Sequence, residues 1–149
     1  MTEDCPRRYP ARPLVGVGVA LLRPDGAVLL IRRGKPPAEG CWTLPGGAQR
    51  LGERAEDAAR RELQEETGLV AGALSLVAHV DSITRDEAGL IAYHYTILDF
   101  AGLHPGGNVF PDGDVVAADW VMPEAFDRLG VCAETRHVIG LARQTLPLT

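Results

Sequence analysis

The stretch that decides how this chain is read runs from Gly47 to Leu69, GAQRLGERAEDAARRELQEETGL. From Arg54 to Thr67 it holds no proline or glycine and is rich in strong helix formers, and Gly68 stands where a left-handed cap closes a helix. The spacing predicts a helix of about four turns. At roughly 100° per residue, Ala55, Ala58, Ala59 and Leu63 gather on one side, with Arg54, Glu56, Asp57, Arg60, Arg61 and Gln64 on the other. Glu62, Glu65 and Glu66 then project at the edge of the apolar stripe or within it, where solvated glutamates do not normally lie. Carboxylates spaced so closely repel one another unless a cation neutralises them. An oxygen-only ligand set suits a hard divalent ion, Mg²⁺ or Mn²⁺, which keeps several waters and is completed by substrate phosphates. Arg61 lies one turn before Glu65 and is placed to pair with it and fix its orientation. The competing reading, a solvated acidic helix after a turn, would put the glutamates on the opposite face.

Immediately upstream, Trp42 and Thr43 are strand-like and run through Leu44 into Pro45-Gly46-Gly47, which lets the backbone approach a ligand and expose a carbonyl. Gly47, Glu53, Arg61, Glu62, Leu63, Glu65, Glu66, Gly68 and Leu69 fill the pattern G-x5-E-x7-R-E-U-x-E-E-x-G-U, with U aliphatic, without departure. The stretch resembles the Nudix box, and Gly40-x-Trp42-x-Leu44-Pro45-Gly46-Gly47 resembles the family's approach to it. Outside these residues the similarity is one of layout.

The resemblance implies hydrolysis of a nucleoside diphosphate linked to another moiety, such as ADP-ribose or a nucleotide sugar. An alternative is a nucleotide-pool-sanitising triphosphate pyrophosphatase. A reading of another class is a nucleotide-sensing module without turnover, although such relatives commonly carry a damaged box and a DNA-binding segment. In the implied site Glu62 and Glu66 are metal ligands, Glu65 completes the cluster or binds a second metal, and the Gly46 carbonyl is a further ligand. Glu53 would hold a metal-bound water or serve as an outer ligand, and Arg61 would orient the glutamates. Family members often supply another acid from a late loop, a role that Asp114 would fill in preference to Asp112. Turn formation is the competing reading for both aspartates.

Working outward, 149 residues at 46% hydrophobic suit one domain, placed at residues 14–149 after a polar, proline-containing arm at 1–13 that reads as flexible. The apolar run Leu14 to Leu22 is too short to span a membrane, and no h-region precedes it, so a cytoplasmic protein is expected. Cys5, Cys41 and Cys132 lack C-x-x-C spacing and favour neither a disulfide framework nor zinc. A net charge of −5 argues against an extended nucleic-acid surface but not against a small phosphorylated substrate, which needs only a local positive patch. Arg32, Arg33 and Lys35 would supply one, with Trp42 beside them, or they form the ordinary charged end of a strand. A homodimer is compatible with this chemistry.

Val15 to Leu22 and Ala27 to Arg33, joined by Pro24-Asp25-Gly26, read as a hairpin, and Ala73 to Asp81 with Leu90 to Phe100 as another. Along the latter, Tyr93, His94 and Tyr95 alternate between a core face and a possible pocket face. Ala101 to Gly113 reads as a loop, Val115 to Val121 as a strand, and Pro123 to Leu129 and Glu134 to Gln144 as helices. Pattern alone gives an α/β or α+β sandwich. The resemblance sharpens it to an α/β/α sandwich with a central mixed β-sheet.

Overall fold

The computed structural model describes residues 5–36 and 39–148; the first four residues of the arm, Pro37, Ala38 and Thr149 lie outside the described residues. The helix of the opening stretch, α1, is Ala55–Thr67, with extended Arg54 as its N-cap. It ends at Gly68, whose φ of 78° lets its amide bond back to the Gln64 carbonyl at 2.8 Å.

The strands are β1 (Leu14–Leu22), β2 (Val28–Arg33), β3 (Trp42–Thr43), β4 (Gly46–Ala48), β5 (Ser75–Arg85), β6 (Ile91–Leu103) and β7 (Val115–Val121). They form one mixed sheet: β1 runs parallel to β6, and the remaining pairings are antiparallel. The first expected hairpin is corrected. β1 and β2 pair only at Leu22 and Val28 and then diverge, β1 taking β4 as its neighbour while β2 takes β3 and β7. Glycine chemistry explains the divergence. Gly46 pairs with Gly18, and a Cβ at Gly46 would overlap the Val17 carbonyl, so only glycine backbone fits this close to β1. Gly46 and Gly47 of the Pro-Gly-Gly segment therefore belong to a short strand. The second hairpin is present and longer than expected, because its turn closes on Asp86, whose Oδ1 accepts from the amides of Ala88 and Leu90 at 2.9 Å. Ala101 to Leu103 consequently belong to β6, and the loop begins after them.

A 3₁₀ turn (Pro123–Ala125) leads into α2 (Phe126–Leu129), followed by α3 (Ala133–Thr145). Alternation along β1 sends Val17, Val19 and Leu21 to one face, where they pack with Ala58, Ala59 and Leu63 of α1. Ala20 and Leu22 face the other way, against Phe126, Val138, Ile139 and Ala142 of α2 and α3. A strand covered on both sides reads as the continuous apolar run seen in the sequence. The architecture is the α/β/α sandwich around a mixed sheet that the resemblance implied.

The arm is anchored where it is described. The Tyr9 amide donates to the Ala92 carbonyl and its hydroxyl to Asp86 Oδ2, both at 2.8 Å. Among the described residues no helix is long and apolar enough to cross a membrane.

Candidate active site

Glu66 sits on the buried stripe of α1, next to Leu63 on the helix wheel, and is 7% exposed. Its Oε1 accepts the Gly46 amide at 2.7 Å, joining α1 to β4. Burial pushes its carboxyl up to about 7; the Gly46 amide opposes this, and the negative charges of Glu62 and Asp114 add to it. The end of α1 also recruits the late loop: the Thr67 carbonyl accepts the Phe110 amide at 2.9 Å and the Glu66 carbonyl the Asp112 amide at 3.0 Å. Asp112 builds the turn, its Oδ1 accepting from the Gly113 amide at 2.7 Å. Asp114, one residue past that turn, reaches the cavity beside Glu66, where a 2.9 Å ion pair with Lys35 holds its carboxyl below the usual range.

Arg61 is the hub of the other side. Its Nε and Nη2 grip the Glu53 carboxylate at 2.8 and 3.0 Å, Nη1 donates to Glu62 at 2.8 Å and Glu65 at 3.2 Å, and Nη2 also reaches the Ala48 carbonyl at 3.0 Å. The expected pair with Glu65 is present, but the wheel reading had Arg61 on the charged, outward side. Its side chain is instead only 17% exposed, and its main grip is on Glu53, a two-oxygen acceptor that matches the guanidinium fork. Glu53 is correspondingly fixed. Arg61, followed by the Arg50 amide, lowers its carboxyl to about 2, and it does not line the cavity. Both Glu53 oxygens are thus engaged by Arg61.

The cavity itself, about 300 Å³, is lined by Glu62, Glu65, Glu66 and Asp114, by the backbone of Gly46 to Arg50, and by Arg7, Arg33 and Arg61. Gly47 leaves room there for Glu62: a Cβ would come within 2.5 Å of its Oε1 and push that side chain aside. The glutamates share the cavity without converging. Glu62 is turned to Arg61, Glu65 is half exposed, Glu66 is held by Gly46, and among the described residues no group of three metal-ligating side chains comes together. Arg32 and Arg33, grouped in the sequence, are separated by strand alternation. Arg33 enters the cavity, whereas Arg32 stacks over Trp42 at 6.0 Å, outside the cavity lining. Arg7, Gln49 and Arg50 were not anticipated as lining residues. For Arg7 no sequence signal existed, since its place depends on the tether at Tyr9.

Residues 12–141 match the family model described as NUDIX domain. The chain belongs to the Nudix family. A curated relative, the ADP-ribose pyrophosphatase of Methanocaldococcus jannaschii, is 40% identical over 90 residues, covering 60% of this chain and 53% of that protein. A putative 8-oxo-dGTP diphosphatase of Bacillus subtilis is 38% identical over 113 residues, 72% of this chain and 66% of the relative. This chain thus spans about half to two thirds of the length of these Nudix relatives. Among solved structures, the NUDIX domain of Shewanella oneidensis NrtR, complexed with ADP ribose, superposes with a TM-score of 0.76 at 22% identity, covering 91% of this chain and 90% of that one. That likeness concerns the Nudix fold.

The donor set suits the divalent ion that Nudix chemistry implies. It is all oxygen, and the buried Glu66 carboxylate, raised in pKa by burial and by neighbouring negative charge, is the kind of group that a cation relieves. Protein ligands that stop short of a closed cage match Mg²⁺, which keeps waters and takes phosphate oxygens.

Proposed function

We propose that the domain is a metal-dependent pyrophosphohydrolase that cleaves the diphosphate of a nucleoside diphosphate linked to another moiety, ADP-ribose and nucleotide sugars being the leading class. The observation that carries this reading is a single cavity in which the carboxylates of one helix face Arg7 and Arg33. Carboxylates alone would repel a diphosphate, and guanidinium groups alone would bind it without activating water. Both together, with a metal, do both tasks.

In this reading Glu62, Glu65 and Glu66, with the Gly46 backbone, would hold Mg²⁺ or Mn²⁺, which supplies Lewis-acid stabilisation of the charge that develops on phosphate. Arg33 and Arg7 take the non-bridging oxygens of the substrate. Water attacks one phosphorus, and the bridging P–O bond breaks to leave a nucleoside monophosphate and the phosphorylated remainder. Glu65, the most solvent-accessible of the three glutamates, accepts the water's proton, or Asp114 does so from the opposite wall. Arg61 keeps Glu62 and Glu65 aimed, and Glu53 keeps Arg61 in place. The triphosphate-sanitising alternative uses the same cavity and differs only in the group beyond the scissile bond.

A hydrolysis panel tests the reading. ADP-ribose, nucleotide sugars, nucleoside triphosphates including oxidised ones, and dinucleoside polyphosphates are incubated with Mg²⁺ or Mn²⁺, and the products are separated by chromatography. Binding of these compounds without turnover of any would favour the sensing module.

A further inference from the structure

Beside the glutamate cavity the N-terminal arm is held by contacts that neither the helices nor the sheet need for their own packing. Arg7, in that arm, lines the cavity within electrostatic range of Asp114 in the late loop and of Tyr95 in β6. Among the described residues neither a hydrogen bond nor an ion pair reaches its guanidinium. Arg61 across the cavity differs, its nitrogens being occupied by Glu53, Glu62, Glu65 and the Ala48 carbonyl. A guanidinium with uncommitted donors is ready to take an incoming anion.

Tyr9, two residues on, sets that placement. Its φ of 52° is left-handed, a conformation that a bulky L-residue keeps only where surrounding contacts hold it. Backbone and side chain are both held. The amide donates to the Ala92 carbonyl of β6 and the hydroxyl to Asp86 Oδ2, each at 2.8 Å, while the Arg8 guanidinium lies 5.3 Å from the ring centre. Asp86 divides its oxygens between two tasks: Oδ1 closes the turn between β5 and β6 through the amides of Ala88 and Leu90, and Oδ2 holds the arm. Tyr9 is nevertheless 44% exposed. Hydrogen bonds made at the surface compete with water and contribute little net stability, so the hold is a latch that opens and closes, not a fixed strut.

We propose that the arm is a substrate-dependent clasp: Tyr9 and Asp86 are positioning residues whose hydrogen bond holds Arg7 at the cavity, and a diphosphate taken by Arg7 locks the arm down in return. The assignment rests on the reading that the diphosphate occupies the glutamate cavity. The two effects are reciprocal by linkage, since whatever the docked arm adds to the affinity for diphosphate, the diphosphate adds to the docking of the arm. Arg7 meets non-bridging oxygens that are present before and during bond cleavage alike, so its contribution falls on KM and leaves kcat nearly alone. Tyr9 acts through Arg7, and its effect disappears when Arg7 is gone.

The test is a double-mutant cycle on the full chain, with Tyr9→Phe, Arg7→Ala and the two combined, assayed on the best substrate of the hydrolysis panel. Tyr9→Phe removes only the hydroxyl that reaches Asp86. Arg7→Ala should raise KM at least tenfold and Tyr9→Phe at least threefold, each with kcat changed less than threefold, and the double variant should match Arg7→Ala within twofold. A Tyr9→Phe effect that multiplies fully onto that of Arg7→Ala, a loss confined to kcat, or an unchanged KM overturns the proposal. Limited trypsin digestion gives a second readout that needs no turnover, because cleavage after Arg7 and Arg8 reports an undocked arm. Inorganic pyrophosphate with Mg²⁺ should slow those cuts at least threefold in the wild type, followed by mass spectrometry, and should leave the cut after Arg8 unprotected in Arg7→Ala. If no nucleotide is hydrolysed, the enzymatic reading fails by itself. The clasp then stands on that protection, and it falls if pyrophosphate leaves the wild-type cuts unchanged or protects Arg7→Ala equally. Should a variant fail to fold, the wild-type digestion decides the matter alone.

Discussion

Asp99, in β6, is a carboxylate only 5% exposed that no hydrogen bond or ion pair reaches among the described residues, and its burial should be visible in the stability of the protein, where Asp99→Asn isolates it. Burial moves the Asp99 carboxyl from its ordinary 3.8 to about 6, so between those values the folded chain binds more protons than the unfolded one. For an acid with a raised folded pKa, stability is highest below the unfolded value and declines as pH rises through the window between the two. Each tenfold change in a protonation equilibrium corresponds to about 1.4 kcal/mol, so the full penalty above the window is about 3 kcal/mol. The asparagine chain has nothing to titrate there. Its stability relative to wild type should therefore rise by about 2.5 kcal/mol between pH 4 and pH 8, which for a chain of this length is roughly 5–10 °C in relative Tm. Any constant effect of burying an amide cancels in that difference, as do the other titrating groups, which both proteins share. Urea unfolding of the two proteins at half-unit pH steps measures it. A gap that stays flat within about 1 kcal/mol across the range would mean that Asp99 ionises normally and holds a partner in solution, and would refute the reasoning from its burial.

The cavity carries further expectations. Turnover should vanish in excess EDTA and return with Mg²⁺ or Mn²⁺, since the side chains present offer no nucleophile of their own to phosphorus; undiminished turnover in chelator would remove the metal from the reading. Glu66→Gln should lower kcat by at least a hundredfold while the melting temperature holds or rises, because a ligand is lost along with a buried charge whose pKa is raised. An equally active variant would take Glu66 out of the metal shell. Arg61→Lys keeps the charge but cannot span Glu53, Glu62, Glu65 and the Ala48 carbonyl together, so kcat should fall about ten- to a hundredfold with KM little changed. A large rise in KM with kcat preserved would instead show that Arg61 holds the substrate.

Much of this architecture could be read from residues whose signals are local. α1 announced itself through the run free of glycine and proline up to Thr67 and the stop at Gly68, and the buried side of Glu66 followed from helix periodicity alone. Local signals fail where partners are distant in sequence. Pro24-Asp25-Gly26 states that the chain turns, but not that β1 will leave β2 after a single pair to take up Gly46 to Ala48. Wheel geometry found the Glu65 partner of Arg61 but not the stronger one, because nothing in α1 reveals that Glu53, eight residues upstream, presents both of its oxygens. Arg7 was hidden more deeply, since its position in the cavity is inherited from a tyrosine tether to a strand more than eighty residues away. Asp99 read simply as part of a strand, and only the pairing with Gly18 exposes it.

Gly18, Gly46 and Gly47 each exclude a side chain, and the atom that does the excluding differs in every case: the Asp99 carboxylate, the Val17 carbonyl and the Glu62 carboxylate. Under random mutagenesis all would score as intolerant, yet the intolerance has separate origins. Alanine at Gly46 meets rigid backbone and threatens assembly of the sheet itself. At Gly47 it meets the end of a flexible glutamate, which can swing aside and leave a folded protein with a disturbed catalytic wall. At Gly18 it meets Asp99, so a paired change that shortens the aspartate should restore tolerance. A descendant of this chain could lose Gly18 and Asp99 together, while Gly46 would persist for as long as the fold did.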